Sequence, residues 1–435
     1  MPDLPQREQN SDMQRHSLPS AENVTLRRLD NGILLAAREN FTSPAVVLGG
    51  LLQVGSMDEP DDKTGLANMT AALLSRGTQA MDYDALNEVI EGVGASVSIY
   101  GRTHTTAAST KSLVEDFPII LTQMVEMLRY PTFPADHLER IRAQRITSLH
   151  ERMTNTRSVA EMLFYESAYP LGHPYHRDAS GTPESIAALT RDELIEFHRA
   201  HYGPDGAIFV VVGAVAAEEA LDLLEAALGS WAPLPEPPIS RVVAPVAWPE
   251  QPISKFHAMP GKTQSDLVYG LPTIPRNDPD YMALQMANLV LGVFGMMGRI
   301  GKVVRDEQGL AYYARSGIDA TLGPSAWTAS AGVSPDKVEQ ALQAIKTEWV
   351  RMGSELVPEE ELNDSKALMS GSLPLRLETN EGVARTLLDI LYYDLGLDYL
   401  LTYRERVAAI SPEEVRRVSQ HYFDPAHAIL AVAGP

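Results

Sequence analysis

A repeat constrains this chain more than any other feature. Ile186-Ala187-Ala188-Leu189-Thr190-Arg191-Asp192-Glu193-Leu194 aligns without a gap with Val407-Ala408-Ala409-Ile410-Ser411-Pro412-Glu413-Glu414-Val415. The register holds through Pro204/Pro425, Ala207/Ala428, Ile208/Ile429, Val211/Val432 and Gly213/Gly434. Each copy reads as helix, turn and buried strand. Thr190 with Glu193, and Ser411 with Glu414, have the spacing of a capping box, in which the hydroxyl takes one orphan helix amide and the glutamate another. Pro412 falls at the first helical position, where its missing N–H costs nothing. Such a unit near the end of each half implies two homologous α+β domains, each a mixed sheet with helices packed on it. Between the halves Pro233, Pro235, Pro237, Pro238, Pro245, Pro249 and Pro252 make an extended connector. The expected division is a disordered tail at 1–20, domains at 21–229 and 253–435, and a linker at 230–252.

The early sequence fits the same class. Asn31-Gly32 is a hairpin turn signal between the apolar runs Val24–Leu29 and Ile33–Ala37. Val46–Ser56 reads as a central strand, and helical periodicity marks Tyr83–Val93, Phe117–Leu128 and Pro134–Arg152.

Charge narrows the partners. Against 36 basic side chains stand 57 acidic ones, a net of −21. That balance argues against nucleic acid or an anionic membrane and favours a cationic peptide or a basic subunit. With no cysteine, disulfides, thiolate metal sites and cysteine nucleophiles are excluded. Met1–Ser20 has no apolar core of the kind a secretory signal needs, and no apolar run is long enough to span a bilayer, so the expected address is the cytoplasm.

Gly65-Leu66-Ala67-Asn68-Met69-Thr70-Ala71-Ala72, leading through Leu73–Arg76 to Gly77-Thr78, resembles the zinc-binding helix of the insulinase/pitrilysin-type metallopeptidases, in particular the mitochondrial-processing-peptidase-like branch. In that family G-L-A-H-x-x-E-H precedes the G-T. Here Asn68, Ala71 and Ala72 hold the reactive positions, and alanine has neither a lone pair for a metal nor a carboxylate for a proton. Spacing from Asn155 and Val159 puts the family's third ligand, a glutamate, at Ser148. His150 and Glu151 are neighbours there, but adjacent helical residues point about 100° apart and neither has a partner at 68 or 72. His198 with His201, and His173 with His176, lack an obvious third ligand, so capping or solvated roles are expected of them. No metal or other cofactor is expected in this chain.

A second signature is intact. Gly295-Met296-Met297-Gly298-Arg299-Ile300 leads to Arg305-Asp306-Glu307-Gln308-Gly309-Leu310-Ala311-Tyr312, which resembles the family's R-E-x-x-G-L-x-Y ending. Gln264–Pro272 and Pro279-Asp280-Tyr281 resemble the opening of the same domain, and the resemblance covers nearly everything after residue 20. It implies half of a clamshell, with Arg305 and Tyr312 donating hydrogen bonds to the substrate carbonyl, and a strand near Ser98-Ile99-Tyr100 that pairs with a peptide. Tyr313 is the competitor for the Tyr312 role. No phosphate-loop pattern is present among the glycines at 292–301. Family members also work as pairs in which one subunit carries the metal helix and the other the Arg/Tyr donors. This chain has the second pattern, so the expected partner is a homologous H-x-x-E-H subunit carrying the zinc. A homodimer, an assembly role or non-cleaving peptide capture are the alternatives.

Overall fold

A computed structural model of the chain describes residues 18–236 and 242–435, with only the backbone at 296–297. Residues 1–17 of the expected tail and 237–241 of the expected linker lie outside the described residues. Ser20, the last residue of that tail, is buried and its N–H donates to Asn23 Oδ1 at 3.1 Å.

The first half runs β1 (Thr25–Arg28), β2 (Leu34–Glu39), β3 (Ala45–Leu52), α1 (Leu66–Leu73), α2 (Tyr83–Gly92), β4 (Ser96–Gly101), β5 (Thr106–Leu113), α3 (Phe117–Arg129), α4 (Ala135–Met153), α5 (Thr156–Ala168), α6 (Pro183–Ala188), α7 (Arg191–His201), β6 (Ile208–Gly213) and α8 (Ala217–Leu228). The second runs β7 (Ile253–Ala258), β8 (Ser265–Pro272), α9 (Tyr281–Gly292), α10 (Phe294–Ile300), which continues π-wound over Gly301–Glu307, then β9 (Ala311–Ile318), β10 (Ala326–Val333), α11 (Val338–Ser354), α12 (Glu359–Arg376), α13 (Asn380–Tyr392), α14 (Tyr399–Ala409), α15 (Pro412–His421) and β11 (Ile429–Gly434). Both capping boxes form: Thr190 Oγ1 accepts from Glu193 N while Glu193 accepts from Thr190 N, and Ser411 with Glu414 does the same. The strand expected over Val46–Ser56 ends sooner, at Leu52. Beyond it the chain leaves the sheet, and Ser56 N and Met57 N donate instead to the Arg102 and Thr103 carbonyls.

Two mixed sheets result, ordered β1-β2-β6-β3-β5-β4 and β7-β11-β8-β10-β9. The duplication is visible in the pairing. β6 is parallel to β2 and antiparallel to β3, and β11 is parallel to β7 and antiparallel to β8. Every residue of β6 is buried, as its unbroken apolar run requires for an inner strand. By the same correspondence β4 and β9 are equivalent edge strands.

Compactness divides the chain differently from the duplication. One unit holds the chain up to Ala143, the stretch that starts at Ser185, and Ser372–Glu405. The other holds Gln144–Glu184, the stretch that ends at Gly371, and Arg406–Pro435. Each sheet takes the cover for one face from the other half of the sequence. In the first unit Val383, Ala384, Leu387 and Leu388 of α13 pack on Val47, Leu51, Ile208 and Val210 of the sheet. In the second, Val159, Ala160 and Phe164 of α5 pack on Val268, Ile429 and Ala431. A buried aliphatic or aromatic side chain contributes about 1.5–3 kcal/mol through removal from water, so these apolar helix faces are strong reasons for the exchange. No helix among the described residues is long and apolar enough to cross a membrane.

Candidate functional site

In the first unit, α1 buries most of its length. Leu66, Ala67, Met69, Thr70, Ala71 and Leu73 are buried, which leaves Asn68 and Ala72, four residues apart, as its part-exposed positions. The helix begins at Gly65 (φ 91°), which has no side chain to cap it. Glu59 does that work from upstream. Buried at 4% exposure, its carboxylate accepts from Gly65 N at 3.0 Å and Ala67 N at 2.9 Å. Negative charge at a helix N-terminus is favourable.

α1 packs on α7 and on β4. A Cβ built at Gly101, where β4 ends, would stand 2.7 Å from Asn68 Oδ1, so the helix and the strand end are in close contact. Among the described residues β4 pairs only with β5, with Ser98 opposite Ser109, Ile99 opposite Ala108 and Tyr100 opposite Ala107. Its residues alternate. Val97 and Ile99 pack against the small cluster of Leu86, Ile90, Ile120 and Met127, while Ser98 and Tyr100 are exposed. Tyr100 is held in place by Arg102, whose guanidinium lies 5.0 Å from the ring centroid and donates to the phenol oxygen at 2.6 Å. An edge strand of this kind carries unpaired main-chain donors and acceptors on one side, which suits pairing with an extended peptide.

The family's zinc does not fit the residues present. Ala71 and Ala72 have no donor atoms, Asn68 offers an amide, and Ser148 is an exposed hydroxyl on α4. Among the described residues no three His, Cys, Asp or Glu side chains form a metal-ligand set. His150 and Glu151 are exposed on α4. Three further histidines engage the main chain. His198 Nε2 meets Leu128 O at 2.8 Å, His173 Nε2 meets Ala244 O at 3.3 Å and His176 Nδ1 meets Tyr169 O at 2.7 Å. Burial pushes the His198 and His173 pKa values down, which favours the neutral rings.

In the second unit, Arg305 lies in the π-wound turn, a widened winding often found at functional sites. Gly309 ends it at φ +59°, a conformation that costs other residues a Cβ clash, and its N–H donates to Arg305 O at 3.0 Å. Two residues beyond, β9 begins. Tyr312 is 85% exposed, and the Arg305 guanidinium carbon lies 6.0 Å from its ring centroid, at the outer range of a cation–π contact. Helix end and strand start thus bring a guanidinium and a phenol together on an accessible ledge. Both are donors suited to developing negative charge.

Tyr313 is half-buried on β9, its hydroxyl donates to Asp266, and Arg157 covers its ring at 4.0 Å. Those contacts commit Tyr313 to the packing of the sheet. Asp266 and Glu59 are the residues that sequence reasoning missed. Glu59 acts six positions from the nearer amide it accepts, outside any local capping spacing. Asp266 acts between strands, and its only signal was a carboxylate in a strand that is otherwise apolar.

Two family models match consecutive stretches of the chain. Residues 34–175 match the family described as "Insulinase (Peptidase family M16)", and residues 188–369 match "Peptidase M16 inactive domain". Over 422 residues the chain is 23% identical to an uncharacterised zinc protease of Streptomyces coelicolor, spanning 94% of this chain and 90% of that protein. Over 428 residues it is 22% identical to the mitochondrial-processing peptidase subunit beta of Pongo abelii, spanning 94% and 83%. Among solved structures, the peptidase M16 inactive domain from Pseudomonas fluorescens superposes with a TM-score of 0.88 at 24% identity, over 95% of this chain and 98% of that one.

Proposed function

We infer that this chain, which belongs to the M16 (insulinase) family of peptidases, is the non-catalytic subunit of a two-chain zinc endopeptidase. One observation carries the reading: the Arg305–Tyr312 pair is intact and accessible, whereas the helix that would hold a metal presents Asn68, Ala71 and Ala72. The metal and the general base belong to a homologous H-x-x-E-H subunit. This chain's share of the work is electrostatic. The Arg305 guanidinium and the Tyr312 hydroxyl donate hydrogen bonds to the substrate carbonyl oxygen as it gains negative charge. An always-charged donor and a neutral one, fixed before the reaction, need no reorganisation during it. The edge of β4 at Ser98-Ile99-Tyr100 pairs with extended peptide. The relative named as a subunit of a processing peptidase supports a heteromeric assembly.

The test is peptide cleavage by this chain, by the H-x-x-E-H homologue from the same genome, and by the two mixed. Cleavage is expected from the mixture, with Arg305→Ala and Tyr312→Phe each lowering its turnover about 10²–10³-fold. Tyr312→Phe keeps the ring and therefore isolates the hydroxyl. A mixture no better than the homologue alone, or insensitive to both substitutions, sinks the donor role and leaves an assembly or peptide-capture role.

A further inference from the structure

We propose that Asp266 is the positioning residue of the donor pair, acting through Tyr313 to fix where Tyr312 projects. The inference rests on the donor reading for its consequence in turnover, but its structural content can be tested alone.

Tyr312 sits where the ladder gives it no support. β9 is an edge strand, paired among the described residues only with β10, and its register shifts where it starts: Tyr313 faces Gly332 while Ala311 faces Val333. Tyr312 is the extra residue between them, a β-bulge. Bulges leave one residue unpaired and re-aim its side chain. Strict alternation would put Tyr312 on the side of Ala314 and Ser316, which are buried at 0% and 5%, yet Tyr312 is 85% exposed. Something other than the ladder must hold this turn of chain.

The next residue supplies that hold. The Tyr313 ring crosses β10 at Gly332, where a Cβ would stand 2.6 Å from Tyr313 Cε1, so glycine is required for the crossing. Beyond it the hydroxyl donates to Oδ1 of Asp266 on β8, the far neighbour of β10. Asp266 is 1% exposed, and its other oxygen accepts from Thr156 Oγ1 and from Gln264 Nε2 at 3.0 Å. A buried carboxylate is costly unless it is fully hydrogen-bonded, and here three donors converge on it, from α5, from β9 and from the residue just before β8. Arg157 closes the outer face of the ring. Burial, and then the bond to Asp266, push the Tyr313 phenol well above its usual range, so it keeps its proton and donates throughout the working pH range. The aromatic ring is thereby pinned at both ends, one residue from the bulge. A 1 Å displacement of a positioned group can cost about 10²-fold in rate.

The experiment places 3-fluorotyrosine at position 312 and records its fluorine NMR signal in the full chain, unmodified at 313 and with Tyr313→Phe. It measures in parallel the turnover of the mixture described above, with Asp266→Asn as a second variant that conserves volume. Tyr313→Phe is expected to shift or broaden the fluorine signal, with the far-UV spectrum unchanged, and to lower kcat about 10–10²-fold with KM nearly constant. In a Tyr312→Phe background the same substitution should lower kcat no further, because it acts through the missing hydroxyl. An unchanged fluorine signal, or losses that multiply in the double variant, overturns the proposal. If the mixture proves insensitive to Tyr312, the donor reading fails, and the fluorine signal alone decides whether Asp266 and Tyr313 position that side chain.

Discussion

Replacing Glu59 tests how the first unit keeps α1 in place without a capping side chain. Two bonds define the perturbation: Glu59 accepts from Gly65 N at 3.0 Å and from Ala67 N at 2.9 Å, and the residue is 4% exposed. A hydrogen bond to a charged acceptor contributes about 1.5–3 kcal/mol net, and an anion at a helix N-terminus up to ~1 kcal/mol more. Water entering the vacated space recovers part of this, so Glu59→Ala is expected to cost about 3 kcal/mol. With a urea m value of about 3 kcal/mol/M, the unfolding midpoint of the unit falls by about 1 M. Glu59→Gln keeps one oxygen acceptor and turns an N–H toward the other amide, so it should lose about half as much. Hydrogen exchange localises the effect: the Gly65 and Ala67 amides should lose protection first. A Glu59→Ala variant within ~0.5 kcal/mol of the parent, with both amides still protected, would show that the helix is held by its apolar face alone.

Two further outcomes follow from burial. His198 has a folded-state pKa below its ordinary value, because burial disfavours the charged ring. Its contribution is therefore complete above about pH 6.5 and is lost as pH falls below that toward the folded value, where the unfolded chain binds the extra proton. Stability measured by urea unfolding should drop between pH 7 and 5, by at most about 1.4 kcal/mol per pH unit for this one group, and His198→Gln should flatten the difference. A parent and a variant with parallel pH profiles would exclude it. Leu387 is 0% exposed on α13 and packs under the first sheet, so Leu387→Ala is expected to cost about 2–5 kcal/mol. The loss should appear as faster hydrogen exchange in β3 and β6 of the first half. Exchange rising only in β8 and β11 would mean that α13 supports the other sheet.

Local physics made much of this molecule legible. The capping boxes at Thr190 and Ser411 depend on atoms three residues apart. The Asn31-Gly32 turn and the apolar run of β6 likewise carry their own signals, and all formed as expected. The Arg305-to-Tyr312 segment belongs with these in part, since a helix end, a positive-φ glycine and a strand start bring the two residues near each other, whereas the tie on the neighbouring Tyr313 comes from distant Asp266. Its winding was not legible: Gly301–Glu307 is π-wound. The strand expected to reach Ser56 also stopped at Leu52, because the competing acceptors, the carbonyls of Arg102 and Thr103, lie nearly fifty residues on.

The sequence by itself determined that there would be two related sheets, that α1 carries neither histidine nor carboxylate at Asn68, Ala71 and Ala72, and that Arg305 and Tyr312 would be neighbours. These follow from side-chain chemistry and from spacings of a few residues. Only the tertiary structure decided that α5 and α13 each cover the sheet of the other half, that Glu59 caps α1, and that Tyr313 is tied to Asp266 while Tyr312 is left exposed. Sheets are symmetric in their demand for an apolar cover, and a buried carboxylate for its donors. Which distant segment meets that demand depends on how the whole chain packs, because neither apolar burial nor hydrogen bonding carries any record of sequence separation.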